Sequence, residues 1–200
     1  MQKLDIEHLL FWFDAIRNSP DPKKTLDSFW KGQIRSKVWL IKQLRSHIQS
    51  GVSIDIHGGW NGVLASMIFQ SSILTKHIRS IDIDPSCEEI ARTVNKLEET
   101  VGKFSAITAD MCDVDITADV VINTSCEHIT QTQYNEWLSH IPRDSLILLQ
   151  SNDYEIEEHV RIAKTLDEFK KQSQLDIIWA GELELPLYNR WMIIGKKISY

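Results

Sequence analysis

Two periodicities divide the chain. Up to about residue 48, apolar side chains recur every three or four positions. From residue 53 onward, short alternating or unbroken apolar runs exchange with helical stretches. Residues 4–17 place Leu9, Leu10, Phe13 and Ile16 among polar neighbours and predict an amphipathic helix, which Asn18-Ser19-Pro20-Asp21-Pro22 ends because proline cannot continue it. Residues 25–48 predict a second helix with an apolar stripe of Phe29, Trp30, Ile34, Val38, Trp39, Ile41 and Leu44, bent or broken at Gly32.

The later pattern predicts seven strands. The first, at 53–56, leads through His57-Gly58-Gly59-Trp60-Asn61-Gly62 into a helix at 61–70. The second, at 80–84, is followed by a helix from Pro85 through Cys87, Ile90, Ala91 and Val94. Further strands are expected at 104–108, 118–123 and 145–150, with helices at 134–140 and 157–171. Strands alternating with helices imply a parallel sheet with right-handed crossovers. The last two strands, 176–180 and 191–195, have no helix between them and should pair as an antiparallel hairpin. The expectation is an α/β fold in one structural domain, with residues 1–50 as a helical extension or cap and 51–200 as the sheet-bearing part.

Composition narrows the class. With 42% hydrophobic residues in a chain of 200, one well-cored domain is affordable. No apolar run reaches bilayer length, and the N-terminus lacks a signal-peptide pattern, so no membrane partner is expected. Three widely spaced cysteines argue for a reducing compartment, by default the cytoplasm. A net charge of −6 argues against electrostatic nucleic-acid binding as the main activity. The run Lys23, Lys24, Lys31, Arg35, Lys37, Lys42 and Arg45, interrupted only by Asp27, reads first as a solvated helix face and keeps an RNA acceptor as a secondary option.

The candidate chemistry gathers where strands end, because open parallel sheets bind ligands beyond their carboxyl edges. The double-glycine loop fits a backbone that approaches a nucleotide at a helix N-terminus. Asp82 and Asp84 end the second strand, where a carboxylate can accept from both ribose hydroxyls. Asp110 follows the third strand, and Asn123 through His128 follow the fourth. Ser151-Asn152-Asp153-Tyr154 follow the fifth. His57, His128 and His159 show no paired-ligand spacing, so no metal site is expected.

The order of glycine loop, Ile81-Asp82-Ile83-Asp84-Pro85, Thr108-Ala109-Asp110-Met111 and Asp119 through His128 resembles the class I S-adenosylmethionine-dependent methyltransferases over residues 50–197. Phe29-Trp30-Lys31-Gly32-Gln33, His57-Gly58-Gly59-Trp60, Asn123 through His128 and Gln150 through Tyr154 are similar to small methyltransferase-like proteins of phages and bacteria. The resemblance implies a Rossmann-like seven-stranded, mostly parallel sheet with a terminal antiparallel hairpin. It also implies S-adenosyl-L-methionine as cofactor and a small-molecule acceptor. Asp82 and Ile83 would meet the ribose, Asp110 and Met111 the adenine, and Asn123 and Ser125 the sulfonium. Asp55, His57, Gly58, Gly59 and Trp60 would form the loop. Here the sequence departs from the family's acid-x-Gly-x-Gly-x-Gly: His57 and Asn61 stand at the first and third glycines, and bulky Trp60 should line or cap the pocket. Glu127 and His128 are candidate general bases, with Asp153 and Tyr154 second. The alternatives are transfer or cyclisation of the cofactor's aminocarboxypropyl arm and a non-catalytic binding module. A nicotinamide enzyme fits less well, since Gly58-Gly59-x-x-Gly62 lacks the dinucleotide spacing.

Overall fold

A computed structural model describes residues 6–49 and 51–198. Leu4 and Asp5, the expected start of the first helix, lie outside the described residues. Seven strands form one sheet: β1 (Val52–His57), β2 (Thr75–Asp82), β3 (Phe104–Thr108), β4 (Val120–Asn123), β5 (Leu146–Asn152), β6 (Leu175–Glu184) and β7 (Asn189–Lys197). Their order is β3-β2-β1-β4-β5-β7-β6. The first five are parallel, whereas β7 runs antiparallel to both β5 and β6. The sheet and its terminal hairpin are those expected. The order reverses between β1 and β4, so the crossovers leave on opposite faces and part at the carboxyl ends of these two strands.

Side-chain alternation sorts the core into two layers. Ile54, Ile56, Val120, Ile122, Leu146 and Leu148 face one helical layer. Val121, Ile147, Leu149 and Ile193 face the other, which holds Trp137 of α7 (Gln131–His140) and Phe169 of α8 (Leu166–Ser173). Helix α4 (Val63–Phe69) joins the first layer, together with α3 (Lys31–His47). Leu40 and Leu44 of α3 are fully buried against Ile54 and Leu64, so α3 does more than cap the sheet: it is part of the layer. Helix α1 (Ile6–Asn18) packs on α5 (Glu88–Val94) through Ala15, Ile90 and Val94. It is braced by Trp12 Nε1 donating to Ser66 Oγ at 3.0 Å and by a 2.8 Å contact between His8 and Glu98 of α6 (Lys96–Thr100).

Several expected elements differ in extent. The single helix over 25–48 is two, α2 (Pro22–Asp27) and α3, parted at Ser28-Phe29-Trp30 and not at Gly32. Gly32 lies in the first turn of α3, where its missing Cβ makes room for the Trp30 ring. The helix expected at 157–171 is confined to Leu166–Ser173, and residues 153–164 form an irregular segment beside the cleft. The second strand ends at Asp82, not Asp84, and His57 belongs to β1 and not to the loop.

Candidate functional site

A cleft of about 930 Å³ opens at the carboxyl ends of the central strands. Gly58, Gly59 and Trp60 line it after β1, Asp82 and Ile83 after β2, Asp110 and Met111 after β3, and Ser125, Glu127 and His128 after β4. These sequence-predicted residues are therefore brought together.

The first turn is built around Asp82. Its Oδ2 accepts from the Trp60 backbone N–H at 2.8 Å and its Oδ1 from that of Asp84 at 3.0 Å. Trp60 has φ of +48°, a left-handed conformation that costs a bulky residue free energy and needs such a clamp. A carboxylate has about four lone-pair directions, so two remain on Asp82. Asp110 caps a short 3-10 turn at Met111–Asp113 by accepting from the Cys112 N–H at 2.9 Å through Oδ1.

Five expected residues lie outside the cleft lining. Asp55 is buried on the opposite face of β1 and is held by Arg79, its cross-strand neighbour on β2, at 2.7 and 2.5 Å. His57 follows two residues on along the same face. It is fully buried, its ring meets Trp137 edge-on at 5.5 Å, and burial lowers its pKa to about 4, so it is neutral. Neither residue lines the cleft. Asn123 is buried and accepts from the Ser125 N–H, shaping the turn after β4. Asp153 accepts from both the backbone and the side-chain nitrogens of Asn189 at 2.8 Å, bracing β5 to β7. Tyr154 faces solvent beside Tyr188 and His159. Asp153 and Tyr154 thus frame the rim rather than reach into the cleft.

The structure adds residues that the sequence reading missed. Arg190, the second residue of β7, is paired in register with Asn152 at the end of β5, and both donate to Glu127 Oε1, at 3.0 and 2.5 Å. Arg190 also donates to the Thr124 carbonyl. Glu127 and Arg190 are nearly inaccessible. Burial lowers the His128 pKa although one side of its ring reaches solvent. The thiols of Cys87, Cys112 and Cys126 are pushed up by burial to about 12, 11 and 12, so none is a thiolate nucleophile near neutrality.

Lys37 and Gln33 reach the cleft from α3, joined by a 2.9 Å hydrogen bond. The basic run is therefore not one solvated face: Lys37 is buried and Lys24 is paired with Asp84 at 2.7 Å. Burial, reinforced by Arg190, lowers the Lys37 pKa to about 7. An unfolded lysine titrates near 10.4, so between roughly pH 7 and 10 the unfolded chain holds the extra proton. Stability should therefore rise with pH across that window, by up to about 1.4 kcal/mol per unit. Urea unfolding at a series of pH values tests this, and Lys37→Met should flatten the rise; a slope unchanged by the substitution would contradict the assignment.

No protein-family model and no curated protein sequence matches the chain. Solved structures do. The magnesium protoporphyrin IX methyltransferase ChlM of Synechocystis PCC 6803 with bound SAH superposes with a TM-score of 0.67 at 12% identity, over 96% of this chain and 94% of that one. The chain has the class I methyltransferase fold. The N-methyltransferase NodS of Bradyrhizobium japonicum WM9, in complex with S-adenosyl-L-homocysteine, gives 0.65 at 11% identity over 94% and 99% of the two chains. MtNAS in complex with MTA and tNA gives 0.62 at 14% over 94% and 69%. Among the described residues no helix is long and apolar enough to cross a membrane.

Proposed function

We propose that the protein is an S-adenosylmethionine-dependent methyltransferase acting on a small-molecule acceptor. The observation that carries this reading is Asp82: a carboxylate at the end of β2, one strand from the topological switch, lining the cleft with two lone pairs left for vicinal hydroxyls. Asp110 stands at the next strand end, where an adenine amino group would be met. Arg190, and Lys37 in its protonated form, line the cleft and supply the charge that an amino-acid carboxylate requires. Bound there, the cofactor supplies an electrophilic methyl group on a sulfonium. The chain's own task is to orient the two reactants in line and exclude water. Chains of similar fold carrying SAH support the same reading.

Calorimetric titration with S-adenosylmethionine, S-adenosylhomocysteine and NAD tests the proposal. The two sulfur nucleotides should bind and NAD should not. Asp82→Ala should weaken S-adenosylhomocysteine binding about 10–100-fold, about 1.4–2.8 kcal/mol, the worth of at least one hydrogen bond to a charged group. Part of that loss will come from release of Trp60, which Asp82 holds in its left-handed conformation. Cooperative unfolding should persist, because the side chain lies at the end of its strand. Undiminished affinity in Asp82→Ala overturns the ribose assignment. The released nucleotide separates methyl transfer, which yields S-adenosylhomocysteine, from transfer of the aminocarboxypropyl arm, which yields methylthioadenosine.

A further inference from the structure

At the acceptor side of the cleft three ligand-bearing side chains converge. One carboxylate oxygen of Glu127, one ring nitrogen of His128 and one of His159 all lie within 4.8 Å of one another, and all three residues line the cleft. His57 does not join them. Glu127 and His128 are neighbours in the 3-10 turn Cys126–His128, and His159 arrives from the irregular segment after β5. The imidazoles stand perpendicular, at 87°, with centroids 4.6 Å apart, the edge of one against the face of the other.

Two of the three groups are prepared for a cation by what holds their other side. His159 Nδ1 lies 2.7 Å from the Tyr154 carbonyl, which can only accept; Nδ1 therefore carries the proton and Nε2 presents a lone pair. Metal-ligating histidines are fixed by this kind of bond to a carbonyl or carboxylate. Glu127 Oε1 takes both donors, Arg190 and Asn152, while Oε2 has no hydrogen-bond partner in a residue only 3% exposed. A buried carboxylate oxygen left bare is costly, and a cation satisfies it.

From this geometry we infer that Glu127, His128 and His159 form a binding site for one divalent first-row cation, open on the cleft side to an acceptor oxygen. Two imidazoles and one carboxylate suit Mn²⁺, Fe²⁺, Co²⁺ or Zn²⁺, and three protein ligands leave positions for a substrate. Nitrogen and oxygen ligands about 2.0–2.2 Å from one ion stand about 3.0–3.5 Å apart at tetrahedral or right angles, so any pair near the 4.8 Å bound must draw in by more than about 1 Å. The exposed His128 and the segment bearing His159 are the parts that move.

The use of this ion rests on the methyltransferase reading. With Glu127 Oε1 held by Arg190 and Asn152 and Oε2 given to the ion, an alcohol or phenol acceptor needs another means of ionising. A divalent cation lowers the pKa of a coordinated hydroxyl and releases its proton to solvent. The oxygen then forms a bond to the methyl carbon as the carbon–sulfur bond breaks, leaving the neutral thioether S-adenosylhomocysteine. A hydroxyl is thus the acceptor class that the site selects.

The test is titration of chelator-treated protein with Co²⁺, followed by its visible absorption, and with Mn²⁺, followed by electron paramagnetic resonance. One ion per chain should bind. His159→Ala and His128→Ala should each weaken it at least tenfold, and His140→Ala, a surface control, should not. Neither alanine variant touches the buried Glu127–Arg190 pair, so both should remain folded. Absence of stoichiometric binding overturns the site, and so does binding that both alanine variants retain. Calorimetry of S-adenosylhomocysteine on the same samples separates the two claims. Nucleotide binding without metal binding removes the ion and leaves the methyltransferase, and the reverse removes the methyltransferase and leaves the ion.

Discussion

Arg190→Ala should destabilise the protein by about 3–5 kcal/mol, the usual cost of leaving one member of a buried ion pair without its partner. In a chain of this length that lowers the unfolding midpoint by roughly 10 °C or more. Glu127 is 3% exposed, so its charge cannot be rehydrated when the guanidinium is removed. The Thr124 carbonyl loses a donor in the same step. A double substitution, Glu127→Leu with Arg190→Met, should recover much of the loss, because a well-packed apolar pair often matches a buried ionic one. The check is urea unfolding of both single variants and the double variant. Strong non-additivity is expected; a loss below about 1 kcal/mol in Arg190→Ala would mean that water reaches the pair.

Gly62→Ala should be nearly as damaging, for two separable reasons. Gly62 adopts φ of +68° at the start of α4, which costs an L-residue about 1–2 kcal/mol. An added Cβ would also lie 2.7 Å from Asn95 Nδ2 and 3.0 Å from the Ala91 Cα, where α5 presses on the loop. Asn95 cannot swing aside freely, since it is fully buried and its Nδ2 donates to the carbonyls of Gly62 and Ala91. Overpacking of this kind adds about 1–3 kcal/mol. Gly102 supplies the comparison: its φ is +71° but nothing lies within 4 Å of an added Cβ. Gly102→Ala should therefore show the conformational part alone. Equal losses in the two variants, measured by equilibrium unfolding, would refute the steric part.

Much of the fold was legible because buried parallel strands advertise themselves. Val120-Val121-Ile122 and Leu146-Ile147-Leu148-Leu149 are unbroken apolar runs, and their loops follow them directly. The start of β2 was hidden because Thr75, Lys76 and His77 are polar and the strand becomes fully buried only at Ile78. Residues 157–171 carry apolar positions at Val160, Ile162 and Leu166 that mimic helical spacing, yet the first part of this stretch is loop. Asp55 and His57 were expected to join the loop, whereas in β1 they share one face. Period-two alternation could not show that this face is sealed by Trp137 and Arg79, because both come from elsewhere in the chain.

The cleft residues that escaped notice were those whose address depends on topology. Arg190 is a lone charge directly before the apolar run Trp191 to Ile194, near the start of its strand. In a strand antiparallel to its neighbour, the opening residue stands at the edge where parallel strands end, and that signal could have placed it beside Glu127. Lys37 and Gln33 looked like members of a basic, solvated helix. Only the packing of Leu40 and Leu44, one and two turns further along, turns their side toward the sheet.

Helix α3 thereby serves two masters. Its later turns bury leucines in the main core, and its first turns carry Gln33 and Lys37 into the cleft. A segment so divided cannot be swapped between relatives as an interchangeable lid, because replacing its reactive end also re-keys the packing beneath the sheet. Diversification of what this protein recognises is therefore easier through the exposed residues 155–158, which can change composition while the leucines of α3 stay where they are.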